Sequence, residues 1–371
     1  MSRSTARRLR PARVAIAGAL LLTTLFPGSA LGAQPAALSP LPADPTVFAP
    51  SRQPAQSGAA VIKRAQEFLA ALSAEQRSKV VLDHSLANAT RWHTYPEWAL
   101  GDLRPGLSTG TLSDVQWKAL HSLLSAALGR TANEGYDEVR QHLLNDDYLS
   151  FGGTREGYGR NNYKIAFLGA PAAKGKWELQ FGGHQLAIAN TYQDGRLVGA
   201  TPSFRGIEPQ TFTLDGVTYE PERQEWSAFV ALLGSLDQRR LRAADLHRSF
   251  EDLVMFPGAA NWSFPSRPEG VRGAALTPQQ RKLVLNAISR YVDDMPAAEA
   301  AAFMSAYACD LNDTYVSFAG SKSLMNIGDY VRIDGPRVWI ELRMDEPYST
   351  DETAPHSLWR DKVSDYGGTR S

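Results

Sequence analysis

Two histidines have the sequence context of metal ligands. His184 follows a glycine pair in Gly182-Gly183-His184, where the missing side chains let a ligand approach closely, and His356 lies near the C-terminus. Two neutral imidazoles and one carboxylate make a three-ligand site for a divalent metal ion, with an open position for water. Glu208 and Glu341 are the candidate carboxylates, as ligands or catalytic bases. A structural histidine bonded to a backbone carbonyl is the alternative.

Three arginines are candidates for binding an anionic substrate, because the guanidinium fork matches a carboxylate or a phosphate. Arg205 and Arg337 would contact the substrate, together with Asp361, and Arg360 would position it for catalysis. An ion pair between Arg360 and Asp361 that clamps the C-terminal segment is the alternative, and the adjacency of the two residues favours it.

Composition excludes several classes of protein. Lys+Arg and Asp+Glu both number 39, so no basic surface predicts a nucleic-acid partner. The single cysteine, Cys309, excludes an intramolecular disulfide and a CxxC redox pair, and its apolar surroundings predict a buried thiol. The sequence contains no GxSxG elbow, HExxH helix, P-loop, EF-hand loop or dinucleotide fingerprint.

Helices are predicted by repeated capping signals. Ser or Thr followed three residues later by Gln occurs in Leu72-Ser-Ala-Glu-Gln76, Leu112-Ser-Asp-Val-Gln116 and Leu276-Thr-Pro-Gln-Gln280. In each, the hydroxyl can cap free backbone N–H groups and the glutamine can bond back to the cap residue. Asp146-Asp147, at the end of another helical stretch, is predicted to be solvated.

Period-two segments follow the helical stretches in both halves of the chain. They cover residues 163–169 and 177–190, and then residues 315–320 and 330–343. We predict an α+β fold, in which helical pairs pack on antiparallel β-hairpins within a single domain, 60–371. An offset of 152 residues aligns the two sets and suggests two repeated helix-then-hairpin units, in halves 60–220 and 221–371. A chance likeness between two hairpins is the alternative.

The N-terminus predicts export. Arginines at the start precede an apolar run, Val14 to Phe26, and then small residues, which is the order of a signal peptide over residues 1–33. The run is shorter than the roughly 20 residues that span a bilayer, so we expect no integral membrane span in the remaining chain. The proline-rich residues 34–59 are predicted to form a disordered spacer. We therefore expect a periplasmic or secreted protein, with a retained N-terminal anchor as the alternative.

The order of motifs resembles the domain of unknown function 3500 family across residues 60–368. The motifs are Trp177…Phe181-Gly-Gly-His184-Gln-Leu186, Pro202-x-Phe204-x-Gly206-x-Glu208-Pro209, Arg332-Ile-Asp-Gly335-Pro336…Glu341 and His356-Ser-x-Trp359-Arg360-Asp361…Asp365-Tyr366-Gly367. The resemblance implies paired histidines at two places where this chain keeps one histidine and has Gln185 or Ala354 as the other member. It implies no particular reaction.

These observations lead to a functional hypothesis with two alternatives. The chain is predicted to be a metal-dependent envelope enzyme, a hydrolase or an oxidase, that acts on a small molecule with a divalent metal at His184 and His356. A non-catalytic periplasmic protein that binds a ligand or a metal is the first alternative. A structural envelope protein, whose polar residues only fasten the C-terminal segment, is the second.

Overall fold

The structure is a computed structural model that describes residues 58–96, 99, 103–151, 157–256, 262–347 and 352–370. The predicted signal peptide and residues 34–57 of the predicted spacer lie outside the described residues. The first helix begins at Gly58, so the last two residues of the predicted spacer, 58 and 59, are helical. No helix among the described residues is long and apolar enough to cross a bilayer.

The fold is built on one large mixed sheet. The strands are β1 Val81–Leu82, β2 Leu107–Ser108, β3 Lys164–Leu168, β4 Lys176–Gly183, β5 Leu186–Gln193, β6 Arg196–Gly199, β7 Ser203–Gly206, β8 Phe212–Leu214, β9 Val217–Tyr219, β10 Val271–Arg272, β11 Tyr315–Ala319, β12 Tyr330–Asp334, β13 Val338–Asp345 and β14 Ala354–Asp361. Twelve of them form a sheet in the order β1-β3-β4-β5-β7-β14-β13-β12-β11-β10, with β2 on β3 and β6 on β5, while β8 and β9 form a separate hairpin. The β1–β3 pair is parallel and the other pairs are antiparallel.

The described residues form nine α-helices, and three of these begin where the capping signals predict. They are α1 Gly58–Ala71, α2 Ala74–Val80, α3 Leu86–Ala89, α4 Asp114–Ala127, α5 Gly135–Phe151, α6 Arg223–Gly234, α7 Gln238–Ala244, α8 Pro278–Val292 and α9 Ala297–Cys309. All three predicted capping boxes are present, at the starts of α2, α4 and α8. Together with the sheet, these helices confirm the α+β prediction.

The two faces of the sheet are covered differently, and strand alternation assigns each residue to a face. On what we call the helix face, α1 and α4 pack against β3, and α6 and α8 pack against β11 to β13. On the loop face, the cluster around Phe204, Trp339 and Leu358 is covered by loop residues such as Met255 and by Tyr366 near the C-terminus. Side chains that alternate along one strand therefore lie on opposite sides of the sheet.

The same succession of elements occurs on each side of the central β7–β14 pair. The Gln116 side chain donates to Ala71 O (3.0 Å) from α4, and Gln280 donates to Ser235 O (2.8 Å) from α8. The 152-residue offset pairs the strand registers of β4 and β5 with those of β12 and β13. For β3 the offset is one residue shorter, because Lys164, not Tyr163, occupies the register position of Tyr315. That the halves arose by duplication stays a prediction.

Two further expectations were wrong. Cys309 is exposed, because the last turn of α9 presents it to solvent, so it is not a buried thiol. Asp146 and Asp147 are almost fully buried, 1% and 0% exposed, since α5 turns this part of its surface inward. Charged residues at a helix end are usually solvated, so their burial here marks an unusual environment.

Candidate functional site

A cavity of about 410 Å³ on the loop face contains both predicted histidines. It lies at the turn between β4 and β5, beside the first residues of β14. Its described lining residues are Thr94, Tyr95, Pro96, His184, Gln185, Glu251, Asp252, Phe256, Asp345, Glu346, Pro347 and His356. The antiparallel β7–β14 pairing brings His356 opposite Gly206, close to the turn that carries His184. The structure thus brings together two histidines that are distant in sequence.

His184 is held by a buried carboxylate. Its Nδ1 atom lies 2.8 Å from Asp146 Oδ1 on α5, and its ring meets the Tyr158 ring edge-on at 4.8 Å between centroids. Tyr163 donates from its hydroxyl to the His184 carbonyl at 3.0 Å. A Cβ at Gly183 would lie 2.5 Å from the Tyr163 ring, so glycine is needed for this packing. The contact with Asp146 orients the imidazole and leaves Nε2 as its second polar atom.

Glu208 is the predicted carboxylate that lies beside His184. Its Oε1 atom is 3.7 Å from His184 Nε2, which is longer than a hydrogen bond. Two ligands of one metal ion, each about 2.1 Å from it, are separated by about this distance. The pair therefore fits a shared cation better than a direct hydrogen bond.

His356 has a carboxylate partner of its own. Its Nδ1 atom lies 2.9 Å from Asp345 Oδ2, but neither ring nitrogen has a hydrogen bond of good geometry among the described residues. Burial acts to raise the pKa of Asp345, but the close contact with His356 and the charges of His356 and Arg343 outweigh it and lower that pKa. Asp345 is therefore held as a carboxylate beside the imidazole, without the aligned hydrogen bond that joins Asp146 and His184.

Gln185 places an amide oxygen between the two histidine sites. It is 6% exposed and adopts a positive φ of 54° in the β4–β5 turn. Its Oε1 atom finds no hydrogen-bond partner within the described parts of the chain. A Cβ built on Gly206 would lie 2.8 Å from His356 Cδ2 and 3.1 Å from Gln185 Oε1. The glycine therefore leaves room for both side chains at one wall of the cavity.

The rim of the cavity is acidic. Glu251, Asp252, Asp345 and Glu346 line it, and none of its described lining residues is Lys or Arg. Burial raises the pKa of Asp252, assisted by the charge of Asp345 and opposed mainly by the hydrogen bond from the Leu253 N–H. Carboxylates in a partly enclosed space favour cations over anions.

Two of the predicted catalytic residues lie elsewhere and have full sets of partners. Glu341, 0% exposed, accepts hydrogen bonds from Val254 N (2.8 Å) and Met255 N (3.0 Å), which fasten the loop that carries Phe256. The Arg360 guanidinium, also 0% exposed, donates from Nε to Asp365 Oδ2 at 2.8 Å. Neither is among the described residues that line the cavity.

The three predicted substrate contacts also lie outside the cavity. Arg205 on the helix face donates to Glu138 Oε2 (2.9 Å) and Asp294 Oδ2 (2.8 Å). Asp361 accepts from the Tyr307 hydroxyl at 2.8 Å, and Arg337 lies 3.7 Å from it with 36% of its side chain exposed. Arg360 therefore pairs with Asp365 and not with its neighbour Asp361.

Sequence analysis missed the carboxylates that lie beside the histidines. Asp146 and Asp345 carry no motif, because Asp146 meets a residue 38 positions along the chain and Asp345 meets His356 only once β13 and β14 have paired. One signal was available for Asp146. Glu138, His142 and Asp146 recur every four residues, which places three polar groups on one face of α5.

Comparisons with known proteins return one match. The family model described as "Protein of unknown function (DUF3500)" matches residues 54–368. No curated protein and no solved structure matches the chain. Because the match covers most of the chain, this protein belongs to the DUF3500 family.

Proposed function

We propose that this protein is an exported, metal-dependent hydrolase that binds a divalent cation through His184 and His356. The observation that carries the proposal is that two histidines, each with a carboxylate about 3 Å from Nδ1, line one cavity. Histidine ligands in metalloproteins commonly have such a carboxylate partner, which sets the tautomer and aims Nε2 at the metal.

The other donors around the cavity fit a cation as well. Glu208 Oε1 is 3.7 Å from His184 Nε2, and Gln185 Oε1 is buried without a hydrogen-bond partner among the described residues. A divalent cation bound there would lower the pKa of water or polarise a substrate oxygen. The chain itself contributes two imidazoles and Asp252, a carboxyl group in the cavity lining that could exchange protons with a bound substrate.

The acidic rim indicates the class of substrate. Four carboxylates and no described Lys or Arg line the cavity, so an anionic substrate would be repelled. Tyr95 and Phe256 pack edge-on, 5.7 Å between ring centroids, and provide an aromatic wall that can face a substrate cation. We therefore expect a small cationic or neutral substrate.

Zinc binding tests the site directly. The full chain is stripped with chelator and titrated with Zn²⁺ by calorimetry, in parallel with His184→Ala, His356→Ala and a control, His247→Ala. The His247 side chain is 74% exposed and far from the two site histidines in sequence. We expect one site in the wild type and in the control, and a loss of at least about tenfold in affinity in the two site variants. A wild type that binds no Zn²⁺, or a control that loses affinity equally, would contradict the proposal.

Turnover separates the hydrolase from a non-catalytic binding protein. Cationic, neutral and anionic p-nitrophenyl esters of similar size are compared as probes with the zinc-loaded protein. Zinc-dependent hydrolysis in the order cationic, neutral, anionic is expected. Zinc binding without hydrolysis of any ester would favour the non-catalytic alternative.

Export is tested on the complete chain. The full-length protein with a C-terminal tag is expressed in a bacterium with two membranes, and the fractions are separated. We expect the tagged product in the periplasm, with an N-terminus near residue 34, because the basic start and short apolar run have the order of a signal peptide. A product that keeps Met1 and stays with the membrane would contradict export by cleavage.

A further inference from the structure

A second group of buried metal-ligand side chains lies on the helix face of the sheet. It consists of Glu138 and His142 on α5, Glu222 just before α6, and Glu225 in its first turn. All four residues are 1–2% exposed. We call them the acidic centre. The alternation of β7 and β14 places Arg205 and Ser357 toward it and His356 toward the opposite face.

The ligand atoms of the acidic centre converge. Glu138, Glu222 and Glu225 each offer a carboxylate oxygen within 4.8 Å of the other two. His142 Nε2 lies 3.5 Å from Glu222 Oε1. One oxygen of each glutamate and the His142 Nε2 atom make no hydrogen bond to any described residue. Buried polar atoms are rarely left without a partner, so four such atoms in one place indicate a missing ligand.

The remaining atoms of the acidic centre are held in place by the protein. Arg205 donates from Nε to Glu138 Oε2 at 2.9 Å, and Ser357 donates to Glu222 Oε2 at 3.1 Å. The His142 Nδ1 atom lies 3.0 Å from the Glu138 backbone carbonyl, which makes Nδ1 the protonated nitrogen and leaves Nε2 as a lone-pair donor. Glu138, His142 and Glu222 therefore each have one atom fixed by the protein and one directed to the shared space, as metal ligands do.

The acidic centre and its neighbours contain more carboxylates than guanidinium groups. Glu134 and Asp294, both buried, add to the three glutamates, and two guanidinium groups pair with this set, Arg205 with Glu138 and Asp294 and Arg290 with Glu134. Buried carboxylates without a counter-charge are strongly destabilising and take up protons instead.

We propose that Glu138, His142, Glu222 and Glu225 bind a divalent cation in a second site, separate from the histidine cavity. Three carboxylates and one imidazole form a mixed oxygen and nitrogen set that suits Mn²⁺ or Fe²⁺ better than the nitrogen-rich cavity does. Glu222 also lines a surface pocket of about 180 Å³, between Arg223, Trp226 and Pro355, which offers a route for the ion.

Manganese binding to the full chain tests this site. Free aqueous Mn²⁺ has a strong paramagnetic resonance signal that weakens when the ion is bound, so a titration at pH 7.5 counts sites. We expect one tight site in the wild type and at least about tenfold weaker binding in Glu138→Gln and Glu225→Gln. Glutamine keeps the volume of glutamate and removes a buried charge, so both variants are expected to fold. Glu299→Gln on α9 is the control and should bind Mn²⁺ like the wild type.

The two metal sites are told apart by crossing the variants. His184→Ala should keep the tight Mn²⁺ site, and Glu225→Gln should keep the Zn²⁺ site of the cavity. Loss of Mn²⁺ binding in His184→Ala but not in Glu225→Gln would place the ion in the cavity and overturn the second site. A wild type that binds no Mn²⁺, with Glu225→Gln more resistant to thermal unfolding, would show that the carboxylates hold protons instead, and this too would overturn it.

Discussion

Helices α5 and α9 occupy corresponding places in the two halves but bury different residues. Each is followed by a short 3₁₀ turn and then by the first five-residue strand of its half, β3 or β11. The buried residues of α9 are Ala300 and Tyr307. Helix α5 also packs through apolar side chains, such as Val139 and Leu143, but in addition it buries Glu138, Gln141, His142, Asn145, Asp146 and Asp147. The two helices thus differ in the polar groups that α5 buries beside its apolar contacts.

The comparison of α5 with α9 shows that the fold does not need the buried acidic residues of α5. An apolar helix in the α9 position forms the same kind of contact with its sheet, so burial of acids on α5 is not a requirement of the fold. Burying such groups is unfavourable unless they are paired. Their presence on α5 is explained by the two sites that this helix serves, since Asp146 orients His184 and Glu138 belongs to the acidic centre.

The largest loss of stability is expected from removing the Arg205 guanidinium, which pairs with Glu138 on α5. Arg205→Met leaves Glu138 and Asp294 buried without their ion-pair partner, which should lower the free energy of unfolding by about 3–5 kcal/mol. Arg337→Met is the matched control, because its side chain is 36% exposed and 3.7 Å from Asp361. It should cost at most about 1 kcal/mol. Urea unfolding measures both, and equal losses would mean that the α5 charges are not strongly coupled to Arg205.

Corresponding positions on β4 and β12 provide a pH test. Glu178 occupies the register position that Tyr330 holds in the other half. Burial raises the pKa of Glu178 to about 7, despite hydrogen bonds from Thr191 and Gln180. The folded state therefore binds a proton that the unfolded state releases above pH 4.5, so this contribution to stability is full below pH 4.5 and is lost as pH rises through 7.

The Glu178→Gln variant removes this titration. The stability of the wild type minus that of the variant should fall between pH 5 and pH 8, by roughly 2–3 kcal/mol. Urea unfolding at both pH values measures it, and the titrations common to both proteins cancel. A difference that is constant with pH would show that Glu178 has the same pKa in the folded and unfolded states.

A single methyl group tests the packing of the cavity. Gly206→Ala places Cβ 2.8 Å from His356 Cδ2, so the imidazole must move or the strand must shift, at about 1–3 kcal/mol. The Gly206→Ala variant should also bind Zn²⁺ more weakly than the wild type. Gly234→Ala is the control, since a Cβ there meets nothing within 4 Å. Unchanged zinc affinity in Gly206→Ala would separate His356 from the metal site.

The smallest losses of stability are expected from replacing the capping glutamines, and they should be equal in the two halves. Gln116 and Gln280 each complete a capping box and each donate to a backbone carbonyl of a neighbouring segment. Replacement of either by alanine should lower stability by about 1 kcal/mol. Thermal or urea unfolding compares them. If one replacement lowered stability several times more than the other, the two halves would correspond in geometry but not in the energetics of their capping glutamines.

Local features were predictable because the interactions that produce them span a few residues. The three capping boxes and the hairpin turns at Asp194-Gly195 and Asp215-Gly216 follow from side chains close in sequence, and the turns show the positive φ angles that such pairs favour. The α+β class followed from the same local patterns. The candidate site was only partly predictable: His184 and His356 do line one cavity, but Asp345 carried no sequence signal, and Asp146 carried only the four-residue spacing of polar groups on α5.

The sequence by itself determined where helices and strands begin, which residues are apolar, and which side chains are capable of chemistry. The tertiary structure decided which of those side chains meet. Arg360 and Glu341, which were predicted to be catalytic, are buried and hydrogen-bonded within the protein, whereas Asp146, which was predicted to be solvated, contacts His184. The physical reason is that side-chain alternation along a strand assigns adjacent residues to opposite faces of the sheet, and strand order sets their neighbours. Neither is contained in any short stretch of sequence.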